Sequence, residues 1–131
     1  MTTAKRDFVR QYPLVAMIPF NFEDLVEGEA VEVQVPANAI VTGGSVILST
    51  LMNSQTSDTL AVGDAETADR YASGIDGKAT GFTALTPTGK AYATTDSVVL
   101  SWTGVGDAPT QGKGFLVVEY VRPGRANEVQ Y

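Results

Sequence analysis

The sequence predicts an all-β domain, an antiparallel β-sandwich with at most one short helical turn. Three observations carry that prediction. Val, Thr, Ser and Gly recur throughout the 131 residues, which is the composition of strands and the turns between them. Apolar and polar residues alternate with a period of two in several short runs. Gly, Pro, Asn and Asp punctuate those runs roughly every 8–12 residues, the spacing of a sandwich. A chain this long suits one domain and buries roughly two-thirds of its unfolded surface without a staple. The expected divisions are an N-terminal arm over 1–12, the sandwich over 13–121 and a C-terminal tail over 122–131.

The apolar run from Leu14 to Phe22 reads as the first strand. "EAVEVQVP" (29–36) sets Val31, Val33 and Val35 on one face and Glu32 and Gln34 on the other, a half-buried strand ending at Pro36. "AIVTGGSVILSTLMN" (39–53) reads as one or two strands with Gly43-Gly44 as a turn or bulge. "SDTLAVG" (57–63) is the next strand, and the single helical turn is expected around Glu66–Ala72, too short to stand without packing. "FTAL" (82–85) and "KAYATT" (90–95) flank a turn at Pro87 and Gly89. "DSVVLSWT" (96–103) turns Val98, Leu100 and Trp102 toward the core. "GFLVVEYVR" (114–122) is apolar on both faces, so it is expected at the centre of a sheet or against a partner. "GVGDAPTQGKG" (104–114) between them reads as a mobile connection.

Composition removes whole classes of chemistry. There is no cysteine and no histidine, so disulfides, thiol nucleophiles, Ser-His-Asp triads and histidine-ligated metals are excluded. The net charge of −6 opposes binding to nucleic acid or anionic membranes. Charge is uneven: residues 1–12 and 122–131 together sum to +3 and leave −9 in the middle. The start, "MTTAKRDFVRQYPLVAMIPF", has a short apolar run bracketed by prolines and no small-residue cleavage site, so a soluble protein made without export is expected.

The acidic loop "LAVGDAETADRYASGID" (60–76) is the one stretch where chemistry is conceivable. Read as a calcium loop from Asp64, it has Ala68 at the fifth position, Asp69 in place of the glycine at the sixth and Ile75 at the twelfth, so the pattern fails at three places. A glycosidase pair needs a cleft with aromatic platforms, and the single tryptophan, Trp102, alternates with core residues. The better reading has Asp64 and Asp69 capping turns, Arg70 paired locally, and Tyr71 and Ile75 packing the loop down. "GDAPTQGKG" departs from a phosphate loop in its five-residue spacer and in Gly114, where Ser or Thr is required. The acidic run "EDLVEGEAVE" (23–32) reads as an exposed face. No metal, cofactor or catalytic residue is assigned.

Three stretches, "VPANAIVTGGSVILSTLMNSQTSDTLAVGD", "DRYASGIDGKATGFTALTPTGKAY" and "GKGFLVVEYVRPGRANEVQ", cover most of residues 35–130. Together they resemble the small decoration, or cement, proteins of tailed-bacteriophage capsids. The resemblance implies a jelly-roll-like sandwich that is not an enzyme. It implies a virion protein, made in the host bacterial cytoplasm, that binds the outer surface of the assembled head as a homodimer or homotrimer and bridges major capsid protein subunits. The basic ends suggest contact residues: Lys5, Arg6, Arg10, Arg122 and Arg125 for polar contacts, and Phe8 with the apolar run to Phe20 for docking. A rival reading is a carbohydrate- or host-surface-binding module of a phage particle, with Tyr71, Tyr92 or Phe82 as an exposed platform.

Overall fold

A computed structural model describes residues 11–28 and 31–124. Its eight strands pair first with last. β1 (Leu14–Asn21) lies beside β8 (Lys113–Val121), and β2 (Val31–Val35) beside β7 (Asp96–Val105). β3 (Ile40–Thr50) lies beside β6 (Gly81–Ala84), and β4 (Ser57–Gly63) beside β5 (Ala72–Asp76). Two further antiparallel pairings, β3 with β8 and β4 with β7, join these into four-stranded sheets of order β1-β8-β3-β6 and β2-β7-β4-β5. This nested arrangement is the jelly roll, which the resemblance led us to expect.

The core lies between the sheets, and the period-two pattern decides which residues enter it. Val31, Val33 and Val35 are buried, and Glu32 and Gln34 are exposed, as the alternation requires. Leu60 and Val62 of β4 and Val98 and Leu100 of β7 meet Val46 and Leu48 of β3 and Leu116 and Val118 of β8. Each such side chain, fully buried, contributes about 1.5–3 kcal/mol relative to exposure. β8 is interior to its sheet, which accounts for its apolar character on both faces.

Gly43-Gly44 is not a turn but continues β3 just after a bulge at Thr42: Val41 pairs with Tyr120 and Gly43 with Glu119, which leaves Thr42 as the extra residue. Gly44 sits at φ +135°, and a Cβ there would collide with the carbonyl oxygen of Val117 on the neighbouring strand. Only glycine lets the two backbones approach so closely.

The helical turn is elsewhere than expected. It is α1 (Phe22–Val26), and residues 66–71 are turn and bend leading into β5. Asn21 caps α1 by accepting from Asp24 N–H at 3.3 Å, while the Asp24 carboxylate accepts from Asn21 N–H at 3.0 Å, and Leu25 is buried beneath. Part of the acidic run is therefore a capped helix. "KAYATT" is not a strand either: Ala91 makes an isolated bridge to Ile40, and Tyr92 exchanges backbone hydrogen bonds with Asn38 and Ala39. The 104–114 connection is tied down. Asn53 Oδ1 accepts from the N–H groups of Thr110 and Gln111, and its Nδ2 donates to Thr110 Oγ1.

Candidate functional site

The acidic loop is organised by Asp64, the residue after β4. Its carboxylate turns inward and the residue is 4% exposed. Oδ1 accepts from the backbone N–H of Glu66 at 3.1 Å and of Thr67 at 2.8 Å. Oδ2 accepts from Arg70 Nε at 2.6 Å and from the Tyr92 hydroxyl at 2.8 Å. A carboxylate has about four acceptor sites, so this one is saturated. Tyr92 gives its single hydroxyl hydrogen to Asp64, so Tyr71 is the donor in the 2.5 Å contact between the two hydroxyls. These bonds explain why no helix forms here. Asp64 holds the first N–H groups in a turn, and Tyr71 N–H then pairs with Val62 O to start the return strand.

Electrostatics follow from the geometry. Burial alone would push the Asp64 carboxyl up, but the Thr67 N–H, Arg70 and Tyr92 outweigh it and hold it below the usual carboxylate range. Burial pushes both tyrosine hydroxyls up; at Tyr92 the bonds to Tyr71 and Asp64 add to the effect. At the rim, exposed Glu66 pairs with Lys90 at 3.0 Å, and the Lys90 ammonium lies 5.5 Å from the Tyr92 ring centroid. A saturated, buried carboxylate anchors a loop, and its acceptor sites are taken by bonds within the protein. Among the described residues no three of Asp, Glu, His or Cys are grouped to hold a metal ion. Asp69, expected to cap a turn, is exposed beside an open depression of about 400 Å³ bordered by Arg70, Ser73 and Thr86.

A second buried carboxylate lies at the opposite end of β4. Asp58 is 1% exposed. It accepts from Ser54 N–H at 3.0 Å, from Ser54 Oγ at 2.5 Å and from the Trp102 indole N–H at 2.8 Å. Trp102, expected inside, is half-buried with its polar edge on this carboxylate. The Lys78 ammonium caps the cluster through Ser54 O at 2.6 Å.

The contact residues expected from sequence divide in two. Lys5, Arg6, Phe8, Arg10 and Arg125 lie outside the described residues. Arg122 is exposed just after β8, and its backbone is clasped by Gln11, whose Nε2 donates to Arg122 O and whose Oε1 accepts from Arg122 N–H. The aromatic platform of the rival reading is not present as expected. Tyr71 and Tyr92 are 1% and 2% exposed and bonded to each other, leaving Phe82 at the surface.

The surface feature that stands out is the outer face of the β1-β8-β3-β6 sheet. Cross-strand pairing aligns Pro19 with Phe115, Phe115 with Ile47, and Ile47 with Phe82, one apolar row across four strands. The adjacent row is Met17, Val117, Ser45 and Ala84. The outer face of the other sheet is more polar, with Glu32, Gln34, Thr59, Ser101 and Thr103 exposed. Apolar residues on both faces of 114–122 signalled β8's part in this patch; Ile47 and Phe82 could be placed there only once β6 was known to pair with β3.

No family model matches the sequence, and no curated protein matches it. Solved structures do match. The fold is similar to a chain in the acidic stable capsid of Helicobacter pylori bacteriophage KHP30, with TM-score 0.66, 20% identity, and coverage of 94% of this chain and 97% of that one. A chain of the cyanophage Pam1 capsid matches with TM-score 0.66, 20% identity and coverage of 94% and 92%. A chain of the capsid of Ralstonia phage GP4 matches with TM-score 0.61, 17% identity and coverage of 95% and 93%. The chain thus has a β-sandwich fold found in phage capsid structures.

Proposed function

We propose that this chain is a non-enzymatic structural protein of a tailed-bacteriophage virion. In this reading it is a decoration protein that binds the outer surface of the assembled head and stabilises it by bridging major capsid protein subunits. The observation that carries the reading is mutual coverage. This chain spans 92–97% of three chains from phage capsid structures, so it matches whole chains and not a domain of a larger one. The chemistry is compatible: both buried carboxylates are bound up in structural bonds, and an apolar sheet face is available for protein contact. Many copies around a shell would gain from multivalency even if each contact were weak. The basic residues Lys5, Arg6, Arg10, Arg122 and Arg125 are proposed to contact the acidic surface of a capsid subunit.

The test is addition of purified protein to heads that lack it. Saturable binding in hundreds of copies, seen by electron cryomicroscopy, and a raised head-disruption temperature are expected. Absence of binding, or a few copies confined to the tail, would overturn the reading. Deletion of residues 2–12 should lower occupancy; unchanged occupancy would remove the arm from the contact.

A further inference from the structure

The outer face of the β1-β8-β3-β6 sheet is complementary to itself. The row Pro19, Phe115, Ile47 and Phe82 is a ridge, with Phe82 69% exposed. The next row, Met17, Val117, Ser45 and Ala84, has smaller side chains on β8, β3 and β6; Ser45, 4% exposed, forms a floor already covered by its neighbours, and Val117 and Ala84 are the accessible members on β8 and β6. Ridge and trough are two residues apart along each strand, separated by the inward-facing Leu116 on β8 and Val46 on β3. The same midpoint separates two opposite charges on β8. Lys113 and Glu119 stand three residues to either side of Leu116, on the face that carries Phe115 and Val117. Lys113 is exposed and makes no ion pair among the described residues; Glu119 is half-buried and accepts from Thr42 Oγ1 at 3.2 Å.

Two ways of stacking this face on itself by a two-fold rotation keep the strands aligned. An axis along the strands sets ridge against ridge and, above β8, Lys113 against Lys113. An axis across the strands, above Leu116, reverses the strand direction. It then sets Lys113 over Glu119 of the second copy, Phe115 over Val117, Ile47 over Ser45 and Phe82 over Ala84, to within the twist of the sheets. Stacked sheets pack about 10 Å apart and cross at about 30°, within reach of facing Lys and Glu side chains. Contiguous apolar patches are uncommon on monomers, and an isologous interface requires this kind of self-complementarity.

We infer that a second copy of this chain covers the face in the strand-reversed arrangement, giving an isologous dimer held by two Lys113–Glu119 pairs around an interlocked apolar centre. The family resemblance leaves homodimer and homotrimer open; this face commits to the dimer and to its interface, and the inference does not depend on the capsid role.

Sedimentation velocity and native mass spectrometry of the full chain test it without any phage head. A dimer is expected. Val117→Arg, at the trough, should weaken it at least ~100-fold, and Lys113→Glu or Glu119→Lys alone at least ~10-fold, since each sets like charges face to face. Mixing the last two variants should restore dimerisation as a heterodimer, because one chain then carries two acids and the other two bases. A merely structural role for these residues would not produce that rescue. Far-ultraviolet circular dichroism confirms folding of each variant, and Glu119→Gln replaces Glu119→Lys if the latter fails to fold, with weakening still expected. A wild type that stays monomeric at its highest soluble concentration overturns the inference, as does a dimer indifferent to all three substitutions or a mixture without heterodimer. A monomer whose Ile47 and Val117 amides become protected from hydrogen exchange only on heads would make the shell the occupant and also overturn it. Failure of head binding by an intact dimer would count against the capsid role alone.

Discussion

Tyr92 donates its hydroxyl hydrogen to the Asp64 carboxylate at 2.8 Å across 28 residues of sequence. That bond fastens the loop after β4 to the segment before β7, with Tyr71 completing the chain of donors. Tyr92→Phe keeps the ring and removes the donor, leaving a buried carboxylate one bond short and Tyr71 without its acceptor. A loss of about 2–3 kcal/mol is expected. Urea unfolding of the two proteins measures it, and a change below ~0.5 kcal/mol would show that the network does not hold the loop.

The same carboxylate makes stability depend on acidity. Its folded-state value is depressed, so its contribution is complete above the unfolded value of ~3.9 and is lost as pH falls through the folded one. Thermal melts of the wild type should therefore fall as the pH drops below ~4. Asp64→Asn should be less stable at neutral pH and should show a shallower acid slope. Parallel slopes would assign the acid sensitivity to other groups.

At the far end of β4, Asp58 depends on the Trp102 indole as one of its three donors. Trp102→Phe should cost about 1–3 kcal/mol for the unsatisfied acceptor, with some further loss from reduced packing. Equilibrium denaturation followed by tyrosine fluorescence reads it, since this substitution removes the only tryptophan.

Gly44→Ala tests the close approach of β3 to β8. The new methyl would meet the Val117 carbonyl at a backbone angle that side chains avoid. Destabilisation of at least ~2 kcal/mol is expected. Gly43→Ala, with open space around its would-be Cβ, should cost much less, and equal effects from both would show that crowding against Val117 is not what keeps Gly44.

The strands that could be read from sequence are those whose neighbours enforce alternation. In β2, β4, β7 and β8 each inward residue faces an apolar core, and the pattern survives in the sequence. β5 lies at a sheet edge and buries only Ile75, so "ASGID" carries no periodic signal. The helix did leave a signal, Asn21 followed three residues on by Asp24, but it sits in an acidic run that also reads as a solvated face. The packing of Tyr71 beneath its loop was legible, but the burial of Tyr92 had no local signature, because it depends on Asp64 and Tyr71 reaching it through contacts distant in sequence. A local partner for Arg70 was legible; that the partner is Asp64, six residues back, is what the turn decides.

The nested order of strands also constrains when the molecule can become whole. β1 is made first of the eight, yet its ladder partner is β8, the last, with Leu14 opposite Tyr120. β4 and β5 can pair as soon as both have left the ribosome, but the sheet containing β1 lacks its middle until β8 arrives between β1 and β3. During synthesis Val15 and Met17 stay without the backbone ladder that later fixes them. Closure of the domain therefore waits for β8 and is dominated by distant pairings, which are slow to form, and a nascent chain stalled before residue 113 holds an unfinished sheet.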